Sequence, residues 1–112
     1  MAIHRMEHAG IVVDDLAAAI EFFVQLGLEL QGKGQVEGRW VDRVVGLEAV
    51  RAEIAIMQTP DGSGRLELTK FHTPPDQGDN RHAQANTPGI RHIAFAVGDI
   101  DAVVDDLAEQ IG

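Results

Sequence analysis

Cysteine is missing from all 112 residues of the chain. That absence rules out a disulfide framework, a thiolate metal site and a thiol nucleophile, so any metal ion must be held by His, Asp or Glu. Basic residues are scarce as well: nine Lys and Arg stand against 18 Asp and Glu, a formal net charge of −9. Nucleic acids are bound through Lys and Arg that neutralise phosphates, and a surface of this sign opposes them, so nucleic acid is excluded as a partner. No apolar run approaches the ~20 residues of a membrane span. The opening MAIHRMEHAGIVV also lacks the charged segment and long apolar stretch of a secretory leader. The expectation is a soluble, cytoplasmic protein with no membrane partner.

What is present fits a globular chain of one domain. The 45% hydrophobic and 24% charged content supports one core, and a chain of this length has no room for two. From Ile3 to Val13 the residues alternate and then turn continuously apolar, which predicts a strand. Asp14 or Asp15 then caps a helix with Leu16, Ala19, Ile20, Phe23 and Leu26 on one face, and Gly27 stands where a left-handed cap ends it. Leu28 to Val36 reads as a strand weakened by Gly32 and Gly34. Gly38 to Val50 reads as a long loop with one helical turn and the single tryptophan, Trp40. Arg51 to Gln58 and Arg65 to Phe71 read as a hairpin around PDGSG. The polar stretch HTPPDQGDNRHAQANTP has no apolar period and reads as a linker. GIRHIAFAV then predicts another strand, and Asp99 caps a second helix with Ile100, Val103, Val104, Leu107 and Ile111 on one face.

One phrase occurs twice. HAGIVVDDL at residues 8–16 and HIAFAVGDI at 92–100 share a shift of 84 positions that pairs His8 with His92 and Asp15 with Asp99. Strand, aspartate cap and helix follow in the same order both times, as in a duplicated supersecondary unit. Alternate strand residues lie on opposite faces, so Ala9, Ile11 and Val13 face the helix while His8, Gly10 and Val12 face the other way. The second copy sets Ile93, Phe95 and Val97 against His92, Ala94 and Ala96. In RLELTKF the same parity packs Leu66 and Leu68 under the helix and turns Glu67 to the histidine side.

Two imidazoles and a carboxylate on one sheet face form a nitrogen-and-oxygen site suited to a divalent Zn, Ni, Co, Mn or Fe ion, with positions open for substrate. The plainer alternative is that His8 and His92 are half-buried strand histidines and Glu67 the polar residue of an alternating strand.

HAGIVVDDLAAAIEFFVQLGLEL resembles the opening of a module of the vicinal oxygen chelate superfamily. RLELTKF resembles its fourth strand, and RHIAFAVGDIDAVVDDL the start of a second module. That superfamily includes glyoxalase I, bleomycin resistance proteins, extradiol dioxygenases and methylmalonyl-CoA epimerase. The resemblance implies an α+β fold in which β-α-β-β-β modules pair into a cupped sheet around a divalent metal. By that resemblance His8, Glu67 and His92 fall on three of four usual ligand positions. The fourth, a carboxylate on the last strand of the second module, has no counterpart, because that module is represented only by a strand and a helix. The implied organisation is a single domain: a first module over about residues 1–71, a polar linker over about 72–88 and a partial second module over about 89–112. Unpaired strand edges favour association, so a homodimer or strand-exchanged assembly is expected.

The implied activity is that of a metal-dependent glyoxalase-like lyase or isomerase, with Glu67 as ligand and catalytic base and a small oxygen-chelating substrate passing through an enolate. The alternatives are an extradiol ring-cleaving dioxygenase and a non-catalytic module that binds or sequesters small molecules, as bleomycin resistance proteins do. His4 would share the His8 face at ~13 Å, too far for one metal. His72 and His82 flank the linker and read as surface residues. Trp40, Arg39 and Arg43 read either as a pocket mouth for an anionic substrate or as a plug on the core.

Overall fold

A computed structural model of the chain describes residues 2–76, 78 and 82–111. The chain divides into two compact units, Met1–Asp76 and Gln77–Gly112. The first contains β1 (Ala9–Val12), α1 (Leu16–Leu26), β2 (Glu29–Glu37), α2 (Arg39–Val45), β3 (Arg51–Gln58) and β4 (Arg65–Thr73). Its four strands form one sheet in the order β1-β4-β3-β2, with β1 parallel to β4 and the other pairs antiparallel. This is the α+β arrangement expected, with the turn foreseen in Gly38 to Val50 extended into the seven-residue α2.

Local chemistry explains α1. The Asp15 carboxylate accepts the Ala18 N–H at 3.0 Å, satisfying a first-turn donor that the helix leaves unpaired. Gly27 ends the helix at φ 108°, a left-handed conformation that a side chain would strain, and the Leu28 N–H closes back on the Phe23 carbonyl at 3.0 Å. Between the caps, Leu16, Ala19, Ile20, Phe23 and Leu26 recur at helical spacing and pack on the sheet. They meet Ala55 and Met57 of β3 and Leu66 and Leu68 of β4, with Ala9 and Ile11 of β1 and Val13 just after it joining them. Burying each of the larger side chains contributes ~1.5–3 kcal/mol, so this face holds most of the stability of the unit.

A smaller cluster lies on the opposite face. Val41 of α2 packs with Val50 and Ala52, and Val36 and Phe71 close around them. Val36, Ala52 and Phe71 stand on one rung across β2, β3 and β4. The loop carrying α2 is fastened by Asp42, whose carboxylate accepts the backbone N–H groups of Ala49 and Val50 at 3.1 and 2.9 Å. The β3–β4 turn is held in a similar way by Asp61. Its Oδ1 accepts from the Thr59 hydroxyl, the Ser63 N–H and the Ser63 hydroxyl at 2.7, 3.0 and 2.8 Å. These bonds, the Ser63 N–H foremost, favour the ionised form and hold the Asp61 carboxyl at about 2.

Strand limits differ from expectation where pairing decides them. The strand expected from Ile3 is confined to Ala9–Val12, because its neighbour β4 begins at Arg65 and its Leu66 pairs with Ala9. The strand expected to end at Phe71 continues to Thr73, because β3 still offers Arg51 as its partner.

In the second unit α3 spans Ile100–Ile111, and the Asp99 carboxylate accepts the Ala102 N–H at 3.2 Å, as the sequence predicts. Val103 and Leu107 are half-buried, whereas Ile100 and Val104 are exposed. The Ile111 side chain, and residues 77 and 79–81 of the polar stretch, lie outside the described residues. Residues 90–97 form no strand here, contrary to the reading of GIRHIAFAV. A strand exists through hydrogen bonds to a neighbouring strand, and an apolar run does not supply them by itself. Among the described residues no helix is long and apolar enough to cross a membrane.

Candidate functional site

The sheet of the first unit has α1 on one face, and its other face is open apart from α2. Register shows what lines it. Gly10, Glu67, Ile56 and Gly32 stand side by side across the four strands, and Val12, Thr69, Ile54 and Gly34 form the next rung. Leu66 and Leu68, on either side of Glu67 in sequence, are 6% and 0% exposed beneath α1. Their burial fixes the parity of β4 and obliges Glu67 to point into the open face.

His8 immediately precedes β1 and turns to the same side. Its Nε2 lies 3.4 Å from Glu67 Oε2, and the two side chains are 42% and 30% exposed. The spacing suits two ligands of one ion: donors each ~2.1 Å from a tetrahedral metal stand ~3.4 Å apart. Imidazole nitrogen and carboxylate oxygen are also the donors that Zn, Co, Ni, Mn and Fe accept. Arg65, the next residue of β4 on this face, does not compete for Glu67. Its guanidinium donates to Glu7 and to Gln58, each at 2.8 Å. Glu7 also accepts from Arg5 at 2.7 Å. The Arg5 bond, more than the Arg65 charge, holds the Glu7 carboxyl below its ordinary range, and Glu7 in turn raises Arg5.

The structure therefore brings together His8 and Glu67 of the three expected ligands. His92 belongs to the second unit, within the exposed segment 90–97, next to Arg91, whose guanidinium donates to the Thr87 and Pro88 carbonyls at 2.7 and 2.9 Å. Among the described residues no three His, Cys, Asp or Glu side chains come together to hold a metal ion. His4 is exposed and lies before the first strand, and His82 is exposed in a turn.

His72 is different. Read from the sequence as a surface loop residue, it lies inside β4, with Nε2 3.0 Å from Glu53 Oε1. Glu53 pairs in register with Lys70, and Arg51 and Glu37 form an ion pair of 3.7 Å close by. Glu53 could be read from the sequence as a residue of its strand, but only the observed length of β4 brings His72 beside it. Trp40 is 65% exposed and does not plug the core; Val41, the next residue, does.

Comparison with known proteins agrees with this architecture. The profile of the glyoxalase/bleomycin resistance protein/dioxygenase superfamily matches residues 7–111. An uncharacterized Escherichia coli protein, YaeR, is 29% identical over 108 residues, covering 96% of this chain and 71% of its own. The uncharacterized Bacillus subtilis protein YwkD is 26% identical over 111 residues, covering 98% of this chain and 74% of its own. The crystal structure of a glyoxalase family protein from Bacillus cereus superposes with a TM-score of 0.92 at 44% identity, over 98% of this chain and 74% of that one. The profile match and the shared fold carry the same conclusion as the quoted motifs: the chain belongs to the glyoxalase/bleomycin resistance/dioxygenase superfamily, the vicinal oxygen chelate proteins.

Proposed function

We propose that this protein is a metal-dependent lyase or isomerase of the glyoxalase type that acts on a small substrate with oxygens on adjacent carbons. The observation that carries the reading is the 3.4 Å approach of His8 Nε2 to Glu67 Oε2 on an open sheet face, with the Arg65 guanidinium of the same strand face engaged by Glu7 and Gln58. His8 and Glu67 would hold a divalent ion, with His92 as a further ligand. A homodimer or strand-exchanged assembly is proposed as the form that supplies a neighbour for residues 90–97.

When bound, such an ion polarises a substrate carbonyl as a Lewis acid. The residues of the chain do the rest. His8 presents an imidazole nitrogen and orients the carboxylate beside it. Glu67 has two oxygens, so one can ligate while the other takes a proton from the carbon next to the carbonyl. In that step the C–H bond breaks, an O–H bond forms on Glu67, and the electron pair moves onto the carbonyl oxygen as an enolate. Returning the proton to the former carbonyl carbon, while the hydroxyl proton passes to the enolate oxygen and the second carbon becomes the carbonyl, completes an isomerisation.

Zinc titration of the purified chain by calorimetry, alongside His8→Ala and His92→Ala, tests the reading. Stoichiometric binding that each variant weakens by at least about tenfold is expected. A parent that holds no supplied metal at neutral pH would sink the enzyme reading. If it nevertheless retained small molecules, it would stand with the sequestering proteins of the superfamily.

A further inference from the structure

We propose that the floor next to the His8–Glu67 pair selects substrates whose substituent is short, uncharged and apolar. This rests on the reading of that pair as the place where the oxygenated head of the substrate is held. The polarity of the open face changes along the strands. At one end stand Arg65 and Gln58, hydrogen-bonded to one another at 2.8 Å, and then Glu67. Beyond Glu67 the next rung is Val12, Thr69, Ile54 and Gly34, without a charge. Val12 is 68% exposed there, although its sequence neighbours Ile11 and Val13 pack into the core. The nearby lysines do not serve this surface: Lys70 and Lys33 pair in register with Glu53 and Ala55, on the parity that faces α1.

A substituent leaving the head toward this rung must therefore lie on aliphatic carbon. A carboxylate placed there would give up water for at most the Thr69 hydroxyl and meet no cation, which is unfavourable, whereas an apolar group gains by contact with Val12 and Ile54. The floor is also short. Thr69 lies ~7 Å along β4 from Glu67, and Phe71 ~13 Å. Over Phe71 the surface is already taken by Val41 of α2, which is 4% exposed. The space in between matches one ring or a short branched chain. Gly34 bounds it on β2, and a Cβ built there would meet no atom within 4 Å.

The test uses three probes that share one hydroxyl-carboxylate head: lactate, mandelate and 4-carboxymandelate, titrated calorimetrically into the zinc-loaded chain. Mandelate is expected to bind about tenfold or more tightly than lactate, and 4-carboxymandelate to lose that gain. In Gly34→Val the added isopropyl group occupies the floor. The thermal midpoint should rise, because a β-branched residue replaces a strand glycine, while the advantage of mandelate falls and lactate binding stays as it was. Equal binding of lactate and mandelate by a chain that holds zinc overturns the floor and leaves the pair reading intact. A chain that takes up no zinc sinks the pair reading. The acids are then titrated without metal, where a mandelate preference that Gly34→Val abolishes supports the floor and its absence overturns it.

Discussion

Two histidine–glutamate pairs lie on this small sheet, and the one with the shorter contact is the poorer candidate for a metal. His72 and Glu53 approach to 3.0 Å, His8 and Glu67 to 3.4 Å. Distance alone would rank them in that order. Their neighbours reverse it. Glu53 shares its rung with Lys70 and stands near the Arg51–Glu37 ion pair, so an arriving cation meets charge of its own sign. Glu67 is flanked on its rung by Gly10 and Ile56, and the guanidinium of Arg65, on the same face of β4, is held by Glu7 and Gln58. What separates the pairs is the freedom of the carboxylate to accept a further cation, and that freedom is set by residues that touch neither histidine.

The comparison breaks most sharply in metal affinity. Glu67→Gln keeps the shape of the side chain and removes its charge, and His8→Ala removes the nitrogen; each should weaken zinc binding by tenfold to a hundredfold, roughly the range known even for outer-shell changes. His72→Ala and Glu53→Gln should leave it unchanged within error. Calorimetry on the four variants decides the matter, and equal losses at both pairs would erase the distinction drawn here. The support beneath the pairs differs as well. Glu67 stands between Leu66 and Leu68, both in the main core, so Leu68→Ala, at a site with 0% exposure, should cost ~2–5 kcal/mol in denaturant unfolding. The second pair depends instead on the way the chain enters β3. Asp42→Ala leaves the Ala49 and Val50 N–H groups without their acceptor, at a cost of ~1–3 kcal/mol. Its effect on amide exchange should concentrate at residues 49–53 and spare Glu67. Uniform exchange across β3 and β4 would show that the sheet transmits the damage and that the pairs are not independent.

How far the sequence led can be judged from the same residues. Parity placed Glu67 and His8 on one face because Leu66, Leu68, Ile11 and Val13 all pack into the larger core under α1, and that burial leaves β4 no other register. Asp15, Asp99 and the α1 stripe were legible because capping and helical spacing act within four residues. Strand limits were not. Whether Ile3 or Ala9 begins β1, and whether His72 lies in β4 or after it, depends on where a partner strand runs out, and that partner is some fifty residues away or twenty. For that reason the second histidine–glutamate pair was invisible as a pair, although both its members could be read individually. Residues 90–97 teach the same lesson: alternation marks a segment that can pair, and the partner decides whether it does.

The smallest expected effect concerns the turn that joins the strands bearing both pairs. The Asp61 carboxyl, held at about 2 by the Ser63 N–H and the Thr59 and Ser63 hydroxyls, is depressed from its ordinary 3.8. A group depressed in the folded state binds its proton more readily in the unfolded state, so its contribution to stability is fully present above pH 3.8 and lost as pH falls toward 2. Asp61 is fully solvent-exposed, so screening keeps that contribution small. Asp61→Asn, which retains an acceptor oxygen but cannot ionise, should flatten the acid limb of the stability profile between those values and leave the profile at neutral pH nearly parallel to the parent. Because Thr59 and Ser63 sit at the closed end of the β3–β4 hairpin, nearer to Glu67 than to Glu53 in register, any loss of order in acid should reach the first pair sooner. Amide exchange at pH 3 that opens residues 51–53 and 71–73 ahead of 58–66 would assign the acid sensitivity to the open end of the hairpin instead.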